Sequence, residues 1–371
     1  MKTKATFIIS NINKALAFEW IAEYLDKEKF ELSFILLNKE NSELEKYLKN
    51  NNIPVYRIKL NNKKSYPVVF IKLLRLLIKI KPALIHTHLR DANFLGLFAG
   101  KILRIKKRIY TRHHSTYNIK YHHKAVKWDR FVNWLSTDIV AISKNVSNVL
   151  QKYENVNPSK IHLLHHGFKL DEFQNVNKKR IEKLQIKYKT DNKHPVIGVI
   201  ARYIELKGHK YIVPAFKKIL KEYPNAFFIF ANTNGPDKEE ISSLIRNNLP
   251  EDTYVEIKFE KDLFALYKLF NIYVHTPIDP ETEAFGQTYV EALAAGIPSV
   301  FTLSGVAPEF IKDRKNALVI DYKNSNELYN KISELINDPS LKDKLKNNSF
   351  STLNNFTLKL FIEKLEKLYD I

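Results

Sequence analysis

Two carboxylates eight positions apart, Glu283 and Glu291, bracket the stretch E-A-F-G-Q-T-Y-V-E-A-L-A-A-G-I-P from Glu283 to Pro298. Phe285 and Gly286 follow the first carboxylate. A glycine there can take backbone angles that other residues avoid, and lets a ligand approach the main chain. From about Gln287 the residues are good helix formers with an apolar face (Tyr289, Val290, Leu293, Ala294), until Gly296 and Pro298 stop the run. Glu291 then lies about one turn into a helix and Glu283 in the loop before it, so both face the ligand that meets the first turn at Gln287 and Thr288. Helix starts attract anions, because their N–H groups are unpaired and the macrodipole is positive there. Carboxylates accept from hydroxyls. A ligand that joins hydroxyls to phosphates, such as a nucleotide sugar, suits this arrangement. A second group points the same way. Val196-Ile-Gly-Val-Ile-Ala-Arg202 reads as an apolar strand ending in a cation, and Lys207-Gly208-His209 opens a helix five residues later. That places Arg202 and Lys207 at the carboxyl edge of a sheet, where two cations can hold a diphosphate.

The E-x7-E spacing with FG after its first glutamate and EAxAxGxP from its second resembles the signature of the family 4 glycosyltransferases, which are retaining enzymes of the GT-B fold. Arg202 and Lys207-Gly208 are similar to that family's "GRL…KG" element. Thr111-Arg112-His113-His114 resembles the "TxH" that reaches the donor sugar from the first domain, which makes His113 the expected contact to the transferred sugar and His114 its rival. Departures exist: Ser10-Asn-Ile-Asn-Lys14 lacks the family's glycine-rich loop, and His166 and Lys169 replace Asn and Asp in the "NGVD" segment. The resemblance implies a retaining glycosyltransferase that needs no metal or other cofactor. Its donor contacts would be Arg202, Lys207, Phe285, Gly286, Gln287, Thr288 and Glu291, with Glu283 and His113 as the catalytic pair. A sugar-nucleotide epimerase of the same fold, or a non-catalytic basic binding protein, is the alternative.

These residues need a frame to hold them. Short apolar runs alternate with helical stretches, which argues for α/β doubly wound parallel sheets. Strands are expected at 5–9, 32–37, 55–60, 83–86, 108–111, 139–142 and 160–164, then at 196–201, 226–231, 253–258, 272–275, 299–302 and 317–320. The polar stretch 178–194 reads as a helix running into a linker near residue 190. Two Rossmann-like domains follow, 1–190 facing acceptor and membrane and 191–355 binding the donor. The resemblance adds that they face each other across a cleft and that a last helix, 356–371, packs back on the first domain.

Bulk properties narrow the setting. Residues 1–190 carry 37 Lys+Arg against 15 Asp+Glu (+22) and residues 191–371 carry 23 against 25 (−2), which sum to the net +20 of the chain. The excess therefore belongs to the first half, which is expected to face a polyanion. Lys72, Arg75 and Lys79 recur at helical spacing beside Phe70, Leu73, Leu74, Leu76 and Leu77, as in a helix lying on anionic lipid; a core-packed helix with a solvated basic edge is the competing reading. No aromatic-interleaved nucleic-acid module occurs, so nucleic acid is not an expected partner. The many histidines of the first half have few carboxylates near them in sequence, and no metal site is expected. There is no cysteine, no apolar run of about 18 residues and no secretory signal at Met1–Ser10, consistent with a cytoplasmic protein, peripheral on the inner face of the plasma membrane. The expected reaction moves a sugar from a nucleotide-sugar donor to a lipid-linked saccharide acceptor in making a surface polysaccharide of the lipopolysaccharide, capsule or O-antigen type.

Overall fold

The computed structural model describes residues 2–370. Seven parallel strands build the first sheet: β1 (Thr3–Ser10), β2 (Phe30–Asn38), β3 (Val55–Lys59), β4 (Leu84–His88), β5 (Lys107–Arg112), β6 (Asp138–Ala141) and β7 (Ile161–Leu163), in the order β3-β2-β1-β4-β5-β6-β7. Six more build the second: β8 (Val196–Ile200), β9 (Phe227–Ala231), β10 (Tyr254–Ile257), β11 (Ile272–His275), β12 (Ser299–Phe301) and β13 (Leu318–Val319), in the order β10-β9-β8-β11-β12-β13. Strands such as Val-Ile-Gly-Val-Ile are apolar throughout because helices cover both faces of a parallel sheet. In each sheet the chain order reverses once, between β1 and β4 and again between β8 and β11. That reversal leaves a crevice outside the carboxyl ends of the strands, where ligands bind in this architecture.

The chain divides into two compact units, Met1–Phe168 with Leu358–Ile371, and Lys169–Thr357. This division lies earlier than the linker near residue 190 that the polar stretch predicts. The helix Lys178–Tyr188 belongs to the second unit, held there by Arg180 on Asp262 (2.6 Å) and Lys187 on Glu260 (2.6 Å). The closing helix starts at Leu358, after 3-10 turns at Phe350–Phe356 rather than at residue 356 itself. It is part of the first unit: Tyr369 is fully buried, packs edge-on to Phe7 and Phe30, and its hydroxyl bonds His86 Nδ1 at 2.6 Å.

The basic helix of the first unit runs from Tyr66 to Ile80 and turns its leucine face inward. Val69, Leu73 and Leu77 are buried in a core with Ile35, Ile85 and Leu95. For that apolar face the core-packed reading holds, not the one that lays it on lipid: burying it on the sheet removes it from water.

Candidate functional site

At the second unit's reversal point the strand ends deliver charge. β8 is followed by Arg202, whose side chain is exposed, and by a 3-10 turn ending at Lys207. Gly208 takes φ 77°, and a Cβ there would lie 2.2 Å from the Thr276 carbonyl, so only glycine lets the Lys207 turn pack against the end of β11. Lys207 Nζ meets the Glu283 carboxylate in a short ion pair, with both side chains largely shielded from water. His275, the last residue of β11, places Nε2 3.0 Å from Glu283 Oε1, and the Glu283 amide donates to Ser304 Oγ at 3.0 Å. Burial alone would raise the Glu283 carboxyl. The charge of Lys207 and the hydrogen bond from His275 outweigh it and hold the group well below the usual carboxylate range. Burial lowers His275, with the Glu283 contact opposing, so the ring stays neutral and donates through Nε2.

The helix Gln287–Ala294 starts at Gly286, which sits at φ 86° and provides no side-chain cap; a Cβ there would approach the Tyr289 ring to 2.6 Å. Its first turn therefore offers backbone donors, as the spacing predicts. Gln287 is exposed, Thr288 half-buried, and Phe285 buried against Phe356 with ring centroids 5.9 Å apart. Glu291 lies outside the Lys207–Glu283 cluster: it is buried and its Oε2 accepts from the Tyr267 hydroxyl at 2.8 Å. Burial pushes its carboxyl up to about 7, with the tyrosine bond opposing.

His113 belongs to the other unit, just beyond β5. Its Nε2 lies 3.1 Å from His88 Nδ1, its ring stacks on His166 at 5.9 Å, and burial, reinforced by His114, pushes it down to about 4. His114 bonds Asp129 at 3.3 Å. Both histidines line one cavity of about 580 Å³, walled by Tyr66, Phe94 and Trp128. Beneath it, buried Arg112 is clamped by Glu154 in a short contact and by Asp129 at 3.5 Å. Among the described residues no group of three or more metal-ligating side chains could hold an ion.

Sequence reasoning did not single out His275, Tyr267 or the Arg112 clamp. His275 carried a usable signal, a polar residue closing an apolar strand as Arg202 does. Tyr267 carried none, because its partner lies 24 residues on, beyond β11 and a loop.

Two family models match adjacent stretches: "Glycosyltransferase Family 4" over residues 20–172 and "Glycosyl transferases group 1" over residues 180–352. The chain belongs to the family 4 glycosyltransferases. Among its relatives, the capsular polysaccharide biosynthesis glycosyltransferase CapM of Staphylococcus aureus is 25% identical over 314 residues, spanning 81% of this chain and 80% of CapM. The α-monoglucosyldiacylglycerol synthase of Acholeplasma laidlawii is likewise 25% identical, over 81% of the transferase and 79% of the synthase. In fold the transferase matches Anabaena HepE, solved in complex with UDP-glucose, with a TM-score of 0.84 at 18% identity, covering 99% of one chain and 100% of the other. The GT-B architecture of two parallel-sheet, Rossmann-like units is thereby established.

Proposed function

We propose that the transferase uses a nucleotide-sugar donor and retains the anomeric configuration without a metal. It would pass the sugar to a lipid-linked saccharide in the synthesis of a cell-surface polysaccharide. It would work in the cytoplasm, as a peripheral protein on the inner face of the plasma membrane. One observation carries the donor half of this reading: Lys207, Glu283 and His275 meet at the reversal point of the second sheet, where Gln287 opens a helix with uncapped donors. In the reaction the bond between the anomeric carbon and the diphosphate oxygen breaks. Its electron pair leaves with the diphosphate while positive charge grows on the sugar ring; the acceptor hydroxyl oxygen then bonds the anomeric carbon and its proton passes to the departing diphosphate. Arg202, Lys207 and the helix start stabilise the leaving anion as fixed charges aimed at it. An ammonium carries three donors, so Lys207 can keep its bond to Glu283 while giving another to a phosphate oxygen. Glu283, held ionised, accepts from the hydroxyls of the donor sugar next to the growing positive charge; Glu291 accepts from the ribose.

His113 keeps the expected contact to the transferred sugar, and the cavity it lines is assigned to the acceptor. Aromatic walls suit the apolar faces of sugar rings, and Asn93, Asn118 and Asp129 offer hydrogen-bond partners. CapM and the glucosyldiacylglycerol synthase, by their names, serve a capsule and a lipid acceptor, which supports the acceptor class. Retention rests on the family resemblance.

A panel of UDP-, GDP- and ADP-sugars in a thermal-shift assay tests the donor assignment: one nucleotide class is expected to raise the melting temperature, and none doing so sinks the reading. Incubation with that donor and no acceptor separates transfer from epimerisation, since an epimerase converts the nucleotide sugar alone.

A further inference from the structure

Residues 63–130 carry 17 Lys+Arg and only 2 Asp+Glu. Both acids are engaged: Asp91 accepts from the Tyr66 hydroxyl at 2.6 Å, and Asp129 lies against Arg112 and His114. Three neighbouring helices present this segment. Tyr66–Ile80 packs on Arg90–Ile102 through Phe70 and Phe98, stacked at 5.1 Å. Arg90–Ile102 packs in turn on His123–Leu135, where Lys101 Nζ sits 3.4 Å over the Trp134 ring.

The outward stripe of the first of these helices is unusual. Positions 68, 71, 72, 75, 78 and 79 follow helical spacing, and all six side chains are exposed: Val68, Ile71, Lys72, Arg75, Ile78 and Lys79. A solvated helix would be polar there. Here three aliphatic and three cationic residues share the stripe, with Val68 and Ile78 each 57% exposed. On the third helix Trp128 and Trp134 stand out at 54% and 58% exposure beside exposed Lys124 and Lys127. In the second unit, by contrast, only Ile186 and Phe259 are large apolar residues so exposed.

We propose that this three-helix face docks on an anionic lipid bilayer, with Lys72, Arg75 and Lys79 at the headgroups and Ile71, Ile78 and Trp134 set into the interface. The occupant follows from chemistry. Headgroup phosphates complement the cations, acyl boundaries take aliphatic side chains, and indoles prefer the membrane–water interface. Single-stranded nucleic acid is disfavoured, because valine and isoleucine interleave the cations of the stripe and have no π-face on which a base can stack. A second copy of the chain is disfavoured too, since neither unit bears net negative charge to meet the face. The proposal deepens the membrane-facing part of the reading above and rests on it for its purpose; its own test does not depend on activity.

The full chain is pelleted with phosphatidylglycerol-rich vesicles and with pure phosphatidylcholine vesicles. The wild type is expected to pellet only with the first, and less in high salt. Lys72→Gln/Arg75→Gln/Lys79→Gln is expected to lower the partition coefficient roughly a hundredfold, at about fivefold per cation. Ile71→Ser/Ile78→Ser should weaken binding while leaving its salt dependence in place. Both variants should melt at the wild-type temperature and turn over a water-soluble acceptor at the wild-type rate. Equal pelleting on both lipids, or a triple variant that binds like the wild type, overturns the proposal. So does binding of single-stranded RNA, without vesicle binding, that the triple variant loses. A chain that binds vesicles but is shifted by no nucleotide sugar would instead overturn the donor reading and leave this face standing.

Discussion

The two reversal points are the same place in two copies of one topology, and they are furnished in opposite ways. In the second unit, Lys207, Glu283 and His275 make a charged cluster whose carboxylate is held ionised despite burial. In the first, His86, His88, His113 and His166 make a chain of imidazoles that burial keeps neutral, with His86 and His166 pushed down to about 3 and His113 to about 4. The surfaces reverse this pattern. Residues 1–168 and 358–371 carry 33 Lys+Arg against 15 Asp+Glu (+18), and residues 169–357 carry 27 against 25 (+2), which sum to the whole chain's +20. The first unit thus carries its excess charge outside and sets neutral imidazoles at its strand ends, while the second is balanced outside and has an ion pair at the same place. Topology fixes where a ligand can sit; the strand-end side chains decide which field it meets.

The strongest way to separate the units is to damage one core. Tyr369→Ala removes a fully buried ring and leaves His86 Nδ1 without its hydroxyl partner, a loss of about 4 kcal/mol. All three tryptophans (Trp20, Trp128, Trp134) lie in the first unit, so a fluorescence melt reads that unit alone and should fall sharply, while donor-induced protection of the second unit in hydrogen exchange persists. Next comes the charged cluster. Lys207→Ala should cost roughly 1.5–3 kcal/mol of transition-state binding, about ten- to a hundredfold in kcat/KM. Lys207→Met combined with Glu283→Gln should recover the melting temperature but not turnover; wild-type rates in either variant would undo the diphosphate assignment.

Glu291 gives a pH-signed test. Its folded pKa of about 7 lies above its ordinary value, so its protonation supports the fold at low pH, and that support is lost as pH rises toward and through 7. Glu291→Gln should therefore raise stability at pH 8.5 by up to about 3 kcal/mol while weakening donor binding. The histidines carry the opposite sign. Their lowered values mean that the unfolded chain binds more protons, so stability is full above about pH 6.5 and falls as the pH drops toward 4 and 3. The smallest effect expected is with His166→Asn, which should move the acid midpoint read by tryptophan fluorescence down by about half a pH unit. An unmoved midpoint would place the acid sensitivity elsewhere.

Much of this frame is legible before any coordinates. Every strand of both sheets overlaps a run picked out by its apolar residues, and Ile272–His275 matches end to end, because the central strands are covered on both faces. The Glu283–Pro298 signature places its loop and helix for the same kind of local reason: Gly286 and Gly296 act on their own neighbours. What stayed hidden is tertiary. The direction faced by Leu73 and Leu77 depends on a sheet built from distant strands, and the boundary near residue 190 moved because the partners of Arg180 and Lys187 lie in 260–262. Lys207 and Glu283 each read as a ligand contact, yet nothing local shows that they hold each other.

The closing helix has a consequence for biosynthesis. Tyr369 plugs the centre of a unit whose other residues end at Phe168, so a growing polypeptide must carry that unit unfinished while all of Lys169–Thr357 is made. Vectorial, one-domain-at-a-time maturation is therefore closed to this molecule: the part that emerges first is the part completed last.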